Sequence, residues 1–136
     1  MGTWSHEPFG NDDACDWAYA LAESEGLSLI EGSIGKVVEI GEDYLEADVA
    51  QEAVAAAEVL AKLLGRGTQS DAYTKGVDQW VAAQTLTPSA DLRCRAQQAL
   101  ARILAADSEL QELWKDSGEC DDWVASLREL QPALGV

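Results

Sequence analysis

Residues 48–65 read DVAQEAVAAAEVLAKLLG, and they decide the fold class. Ala50, Ala53, Val54, Ala57, Leu60, Ala61 and Leu64 recur at three- and four-residue spacing, the apolar stripe of an α-helix over about 49–64. Asp48 and Gln51 have the spacing of a capping box, and Gly65 stands where such a helix ends. The many alanines raise helix propensity and let a neighbouring helix approach closely.

The same period extends to both sides. Ala14, Trp17, Ala18, Leu21 and Ala22 form one stripe over about 12–25, capped by Asn11 or Asp12 and stopped at Gly26, with Leu27 placed for the contact of a Schellman turn. Residues 28–40 are ambiguous: Ile30, Ile34, Val37 and Val38 suit a helix face, Gly32 and Gly35 weaken it, and Val37–Ile40 suits a short strand. Helix is expected there because no partner strand is visible. Downstream, Ser70 can cap a helix over about 71–84 with Tyr73, Val77, Trp80 and Val81 inward. Thr87-Pro88 restarts a helix over about 88–105 with Pro at its first position, burying Leu92, Ala96, Ala99, Leu100, Ile103 and Leu104. Ser108 and Gln111 form another box, opening a short helix through Trp114. After Gly118 a last helix runs about 120–130, with Trp123, Leu127 and Leu130 inward and Pro132 beyond its end. The expected fold is all-α, one domain over 1–136, an irregular or orthogonal bundle of six or seven short helices.

Nearly half of the 136 residues are apolar, which excludes intrinsic disorder, and no apolar run reaches a membrane span. No secretory pattern is seen, so the cytoplasm is the expected compartment. Met1-Gly2 resembles a myristoylation start, but the required Ser or Thr falls on His6. The net charge is −16, which opposes nucleic acid and anionic membranes as partners. The charge is uneven: −12 over residues 1–65 and −4 over 66–136. Much of it serves solubility. It also suits a basic protein partner steered by long-range attraction. Cys15, Cys94 and Cys120 are odd in number without CxxC spacing, which argues against a disulfide framework or zinc. Cys15 and Cys120 sit near helix starts, where a thiol can become more acidic, but the expected role is that of buried, small apolar side chains.

Chemistry has few carriers. His6 is the sole histidine, able in principle to act on Cys15 or pair with Asp12 or Asp13. Glu109 with Glu112, and Glu119 with Asp122, have the spacing that puts two carboxylates on one helix face, as in all-α magnesium hydrolases. No phosphate-binding cation pattern accompanies them, and neither cofactor nor metal is expected. Arg93, Arg95 and Arg102 are expected on an exposed face, paired with acidic neighbours. Glu39, Glu42, Asp43, Glu46 and Asp48 crowd one segment that does not match an EF-hand loop. It reads as an exposed acidic turn carrying Tyr44 and Leu45. Tyrosine among carboxylates is a common arrangement against Arg and Lys, so Glu39, Glu42, Asp43, Tyr44, Glu46 and Asp48 are the expected contacts for a basic partner.

The N-terminus reads MGTWSHEPFGNDDACDW. As structure, Trp4 and Phe9 fold back over the first helix, Asn11-Asp12 cap it, and Trp17 is its first large apolar residue. As function, Asp12, Asp13 and Trp17 could meet a ligand. This start resembles that of a bacterial family, domain of unknown function 4259, which begins MGxWGxGPFxNDxAxDW. Asp43–Leu64 (DYLEADVAQEAVAAAEVLAKLL) and the Asp107–Trp114 stretch also look like it. The resemblance implies a fold and no activity. Ser5-His6-Glu7 departs from the family's Gly-x-Gly, which sets His6 outside the family pattern. Three functional classes stay open: an immunity- or antitoxin-type protein that neutralises a basic partner, a magnesium hydrolase, and a scaffold associating through Trp80, Trp114 or Trp123.

Overall fold

The computed structural model describes residue 3 and residues 5–135. Among them are seven α-helices and no strand: α1 Asp12–Ala22, α2 Ser28–Ile40, α3 Ala47–Leu63, α4 Lys75–Ala83, α5 Ala90–Leu104, α6 Glu109–Ser117 and α7 Cys120–Ala133. No helix among the described residues is long and apolar enough to cross a membrane.

α3 is the axis of the molecule and packs against each of the other six helices. The expected single stripe on α3 is too narrow. Ala55, Ala56 and Val59 are buried along with Ala53, Val54, Ala57, Leu60 and Ala61, while Leu64 lies only partly covered. Alanine on every side leaves room for neighbours from every direction, so the helix is buried all round. Enlarging such a residue would overpack the site, at a cost of about 1–3 kcal/mol.

Residues 28–40 are helical throughout, with Ile30, Ile34 and Val37 on the core. Gly35 lies under the Arg95 side chain, where α2 meets α5.

Several helix starts differ from expectation because a better-placed acceptor takes the orphan N–H groups. α3 begins at Ala47, whose N–H donates to Glu109 Oε1 at 2.7 Å, so Asp48 and Gln51 form no box. Asp71 replaces Ser70: it closes a capping box with Thr74 around a 3-10 turn, Ala72–Thr74, that precedes α4. Tyr73 therefore faces outward rather than inward. Ser89 caps α5, accepting from Leu92 N–H, and Pro88 stands before the helix. Ser108 caps α6, but the Gln111 side chain donates to the Leu104 carbonyl instead of closing the box.

Ends differ as well. α1 stops at Ala22, before Gly26. α7 runs through Pro132, an exposed residue in its last turn, where a proline costs the helix least. Trp80, Trp114 and Trp123 are all buried, and the rings of Trp114 and Trp123 stack with centroids 6.3 Å apart. The scaffold reading therefore loses its surface tryptophans.

Candidate functional site

Glu39, Glu42, Asp43, Tyr44, Glu46 and Asp48 are all exposed: Glu39 in the last turn of α2, Asp48 in the first turn of α3, and the other four on the connection between them. Leu45, between them, is fully buried and fixes the segment to the core. Its N–H donates to the Asp107 carbonyl and its own carbonyl accepts from Glu109 N–H, both at 2.8 Å. Gly41 takes a φ of +60° at the bend that follows α2, a conformation glycine adopts without steric cost. Arg102 closes the arrangement. Its guanidinium donates to the carbonyls of Gly41 (2.7 Å), Asp43 (2.6 Å), Ala106 (3.0 Å) and Asp107 (3.2 Å). One planar fork thus ties the acidic turn to the α5–α6 connection.

This use of arginine differs from the expected pairing with carboxylates. Arg93 donates to the Leu134 and Gly135 carbonyls at the end of α7, and Arg66 to those of Ala133 and Gly135. Ion pairs among the described residues involve Lys62 alone, with Glu58 and Asp78. The carboxylates of the acidic turn are in none of them, and the one cation seated on the turn, Arg102, is bound to its backbone and offsets only part of the charge of five acids. Tyr44, 48% exposed, donates its hydroxyl to Glu112 Oε2 at 2.6 Å. That bond, reinforced by burial and by the charges of Glu112, Glu109 and Asp107, pushes the Tyr44 phenol up to about 12. Glu109 and Glu112, the candidate metal pair, thus serve one as the acceptor at the α3 N-terminus and the other as the seat of Tyr44. No group of three or more His, Cys, Asp or Glu side chains among the described residues is placed to hold a metal ion.

The N-terminal signature divides into buried anchors and exposed acids. Trp4 lies outside the described residues. Phe9 is fully buried, and its N–H donates to Gln69 Oε1 at 2.8 Å. A Cβ on Gly10 would stand 2.8 Å from the Ser5 carbonyl, so only glycine fits that turn. Asn11 caps α1 through Ala14 N–H and donates to Gln51 Oε1 at 3.0 Å, which places a buried amide bridge between α1 and α3. The Trp17 indole donates to Ser33 Oγ at 2.9 Å on α2. Asp12 and Asp13 are exposed. Asp13 is held above the usual carboxylate range by partial burial, then by Asp48, Asp16 and Asp12; Glu52 is raised by burial and by Asp48 and Asp13, against the pull of Lys36. The signature acids therefore continue the acidic turn across the starts of α1 and α3.

The catalytic pairing of His6 and Cys15 is not formed. His6 is exposed with its carbonyl accepting from Ser126, and the Cys15 thiol points at the Phe9 carbonyl. Burial, with Asp12, Asp16 and Asp71, pushes that thiol up, away from the acidic form that a helix start can produce.

A feature that the sequence reading missed is Glu58, fully buried on α3. Its Oε2 accepts from Thr68 N–H (2.8 Å) and Gln69 N–H (2.9 Å), and its Oε1 from the Thr68 hydroxyl (2.7 Å). Lys62 lies 3.8 Å away, donates to the Gln69 carbonyl, and pairs with Asp78 at 2.7 Å. Burial raises the Glu58 carboxyl, and the three hydrogen bonds and Lys62 oppose the shift. The signal was present: one charge inside the otherwise apolar run Ala53–Ala61, facing a loop whose backbone N–H groups need an acceptor.

Residues 2–126 match the model of the family described as domain of unknown function (DUF4259), and the chain belongs to that family. No curated protein and no solved structure matches the chain.

Proposed function

We propose that this member of the family is a non-enzymatic interaction protein that binds and neutralises a basic protein in the cytoplasm, in the manner of immunity and antitoxin proteins. One observation carries the reading. The carboxylates of the acidic turn are exposed and form no ion pair among the described residues, yet the backbone of the turn is fixed by Arg102 and Leu45. A preorganised loop loses little freedom on binding, and exposed carboxylates in excess of the one seated cation raise the encounter rate with a basic partner. Tyr44 supplies a ring of the kind enriched at interface hot spots, already oriented by Glu112. The contacts are Glu39, Glu42, Asp43, Tyr44, Glu46 and Asp48. The net charge of −16 sets nucleic acid and anionic membranes aside as partners.

The test is to express the basic products of adjacent reading frames and measure their association with this chain over a range of salt. Tight, salt-sensitive binding is expected, with Glu42→Ala, Asp43→Ala and Glu46→Ala together slowing association and flattening the salt dependence. An on-rate and salt slope unchanged by that triple substitution would remove the turn from the interface.

A further inference from the structure

Tyr19, Tyr44, Tyr73 and Leu113 are the exposed large hydrophobic side chains among the described residues. Two of them, Tyr19 (75% exposed) and Tyr73 (56%), line one groove of about 410 Å³ between α1 and the 3-10 turn that leads into α4. Cys15 and Ala18 continue the α1 wall, and Gly76 and Val77 the other. Small side chains between two aromatic rings make a floor with an apolar character.

Gly76 is the second observation. It stands inside α4, its φ is not positive, and a Cβ there would meet nothing within 4 Å among the described residues. Neither backbone geometry nor packing requires glycine at this point, and glycine weakens a helix. What its missing side chain does is leave the groove open.

The third observation is charge. Within two residues of the groove lining stand Asp13, Asp16, Glu23 and Asp71 against Lys75, while Asp78 is neutralised by its ion pair with Lys62. Asp12, Asp16 and Asp71 act together on the Cys15 thiol, so both walls carry negative potential into the groove.

We propose that this groove is a second docking surface, which seats an apolar side chain of a Lys- or Arg-bearing segment of a protein partner between Tyr19 and Tyr73. The inference rests on the basic-partner reading above but uses a different surface from the acidic turn. A second copy of this chain is disfavoured as occupant, because two bodies of charge −16 repel.

The test uses two capped synthetic peptides of equal positive charge, one of lysine and leucine with helical amphipathic spacing, the other of lysine and serine. Amide chemical shifts of the whole chain are followed through each titration. The lysine–leucine peptide is expected to shift the amides of Ala18, Tyr19, Gly76 and Val77, and the lysine–serine peptide to leave them in place. Gly76→Leu is expected to weaken the lysine–leucine peptide at least about tenfold while the melting temperature stays level or rises. Tyr19→Ala with Tyr73→Ala should weaken it similarly by a separate route. The proposal is overturned if both peptides shift only residues 39–48, or if neither variant changes affinity by more than about twofold. It is also overturned if the same amides shift with protein concentration alone, which would make the occupant a second copy. The triple alanine variant at Glu42, Asp43 and Glu46 separates the two readings. Groove shifts retained in that variant support the groove even where the acidic turn plays no part in binding.

Discussion

Between Glu39 and Asp48 the chain exposes five carboxylates and pairs none of them with a cation among the described residues, whereas Glu58, one helix further in, is sealed from water and receives three hydrogen bonds and a lysine. The residue type is the same and the physics is opposite. An exposed carboxylate keeps its hydration and adds a long-range field at little cost to the fold. A buried one forfeits its hydration, persists because both of its oxygens accept hydrogen bonds, and becomes structural. Glu58 holds the loop after α3, and through Gln69 it also reaches Phe9 of the N-terminal segment. The acidic turn, in contrast, is held by its backbone, which leaves its side chains available.

The largest effect that would break this contrast lies at Glu58. Glu58→Ala leaves the Thr68 and Gln69 N–H groups and Lys62 without their acceptor, and a loss of about 3–5 kcal/mol is expected in urea unfolding. Glu42→Ala or Asp43→Ala should stay within about 0.5 kcal/mol, in the stabilising direction, because each removes like-charge repulsion. A Glu58 variant as benign as those would show that burial does not separate the two regions.

Arg102→Ala comes next, at about 1–2 kcal/mol for the lost bonds of a charged donor. Its diagnostic is local: faster amide exchange within residues 41–45 and 107–109, with the Thr68 and Gln69 amides unaffected. Equal acceleration at both places would mean that the turn and the Glu58 junction open as one unit.

How far the sequence displays this contrast depends on how local each interaction is. α3 is legible because periodicity and propensity act within one helix. Residues 28–40 are ambiguous in sequence because glycine weakens a helix whose stability comes from packing on α3 and α5. The acidic turn is legible as a run of charge around Tyr44 and Leu45. Its fastening is not, since Arg102 lies some sixty positions downstream and reaches backbone carbonyls that no residue pattern advertises. Glu58 is half legible: a lone charge inside an apolar run marks it, but its partners do not show. Its spacing to Lys62 is that of any surface i, i+4 pair, and only the fold around α3 converts that pair into a buried one. Asp48 and Gln111 mislead in the same manner, since Glu109 takes the N–H at the start of α3 and the Leu104 carbonyl takes the Gln111 side chain; Ser70 loses to its own neighbour in sequence, Asp71.

A smaller effect concerns pH. Asp13, Glu52 and Glu58 all have carboxyls raised in the fold, with burial the first cause of each. A carboxyl raised by folding takes up its proton sooner in the native state than in the unfolded chain. Its contribution to stability is therefore fully present below the unfolded pKa and is lost as pH rises through the folded value. Urea midpoints are expected to be higher at about pH 5 than at about pH 8. The Glu58→Gln variant should flatten part of that difference, and the Glu42→Ala and Asp43→Ala variants less of it. Midpoints that instead fall on mild acidification would mean that native carboxylates are net stabilised, and would erase the distinction drawn at Glu58.

The smallest effect sharpens the acidic turn itself. Tyr44 is pushed up to about 12, first by its hydrogen bond to Glu112, so its phenol is expected to ionise late when phenolate absorbance is followed against pH. A raised phenol contributes stability that is present below its unfolded value and fades as pH rises toward about 12. Glu112→Gln keeps an acceptor for the hydroxyl but removes the charge, so the late transition should move down while melting at neutral pH changes little. Tyr44→Phe should abolish that transition altogether. If Glu112→Gln leaves the transition in place, the tyrosine is not held by Glu112, and the turn presents its ring without the orientation that makes it a ready contact.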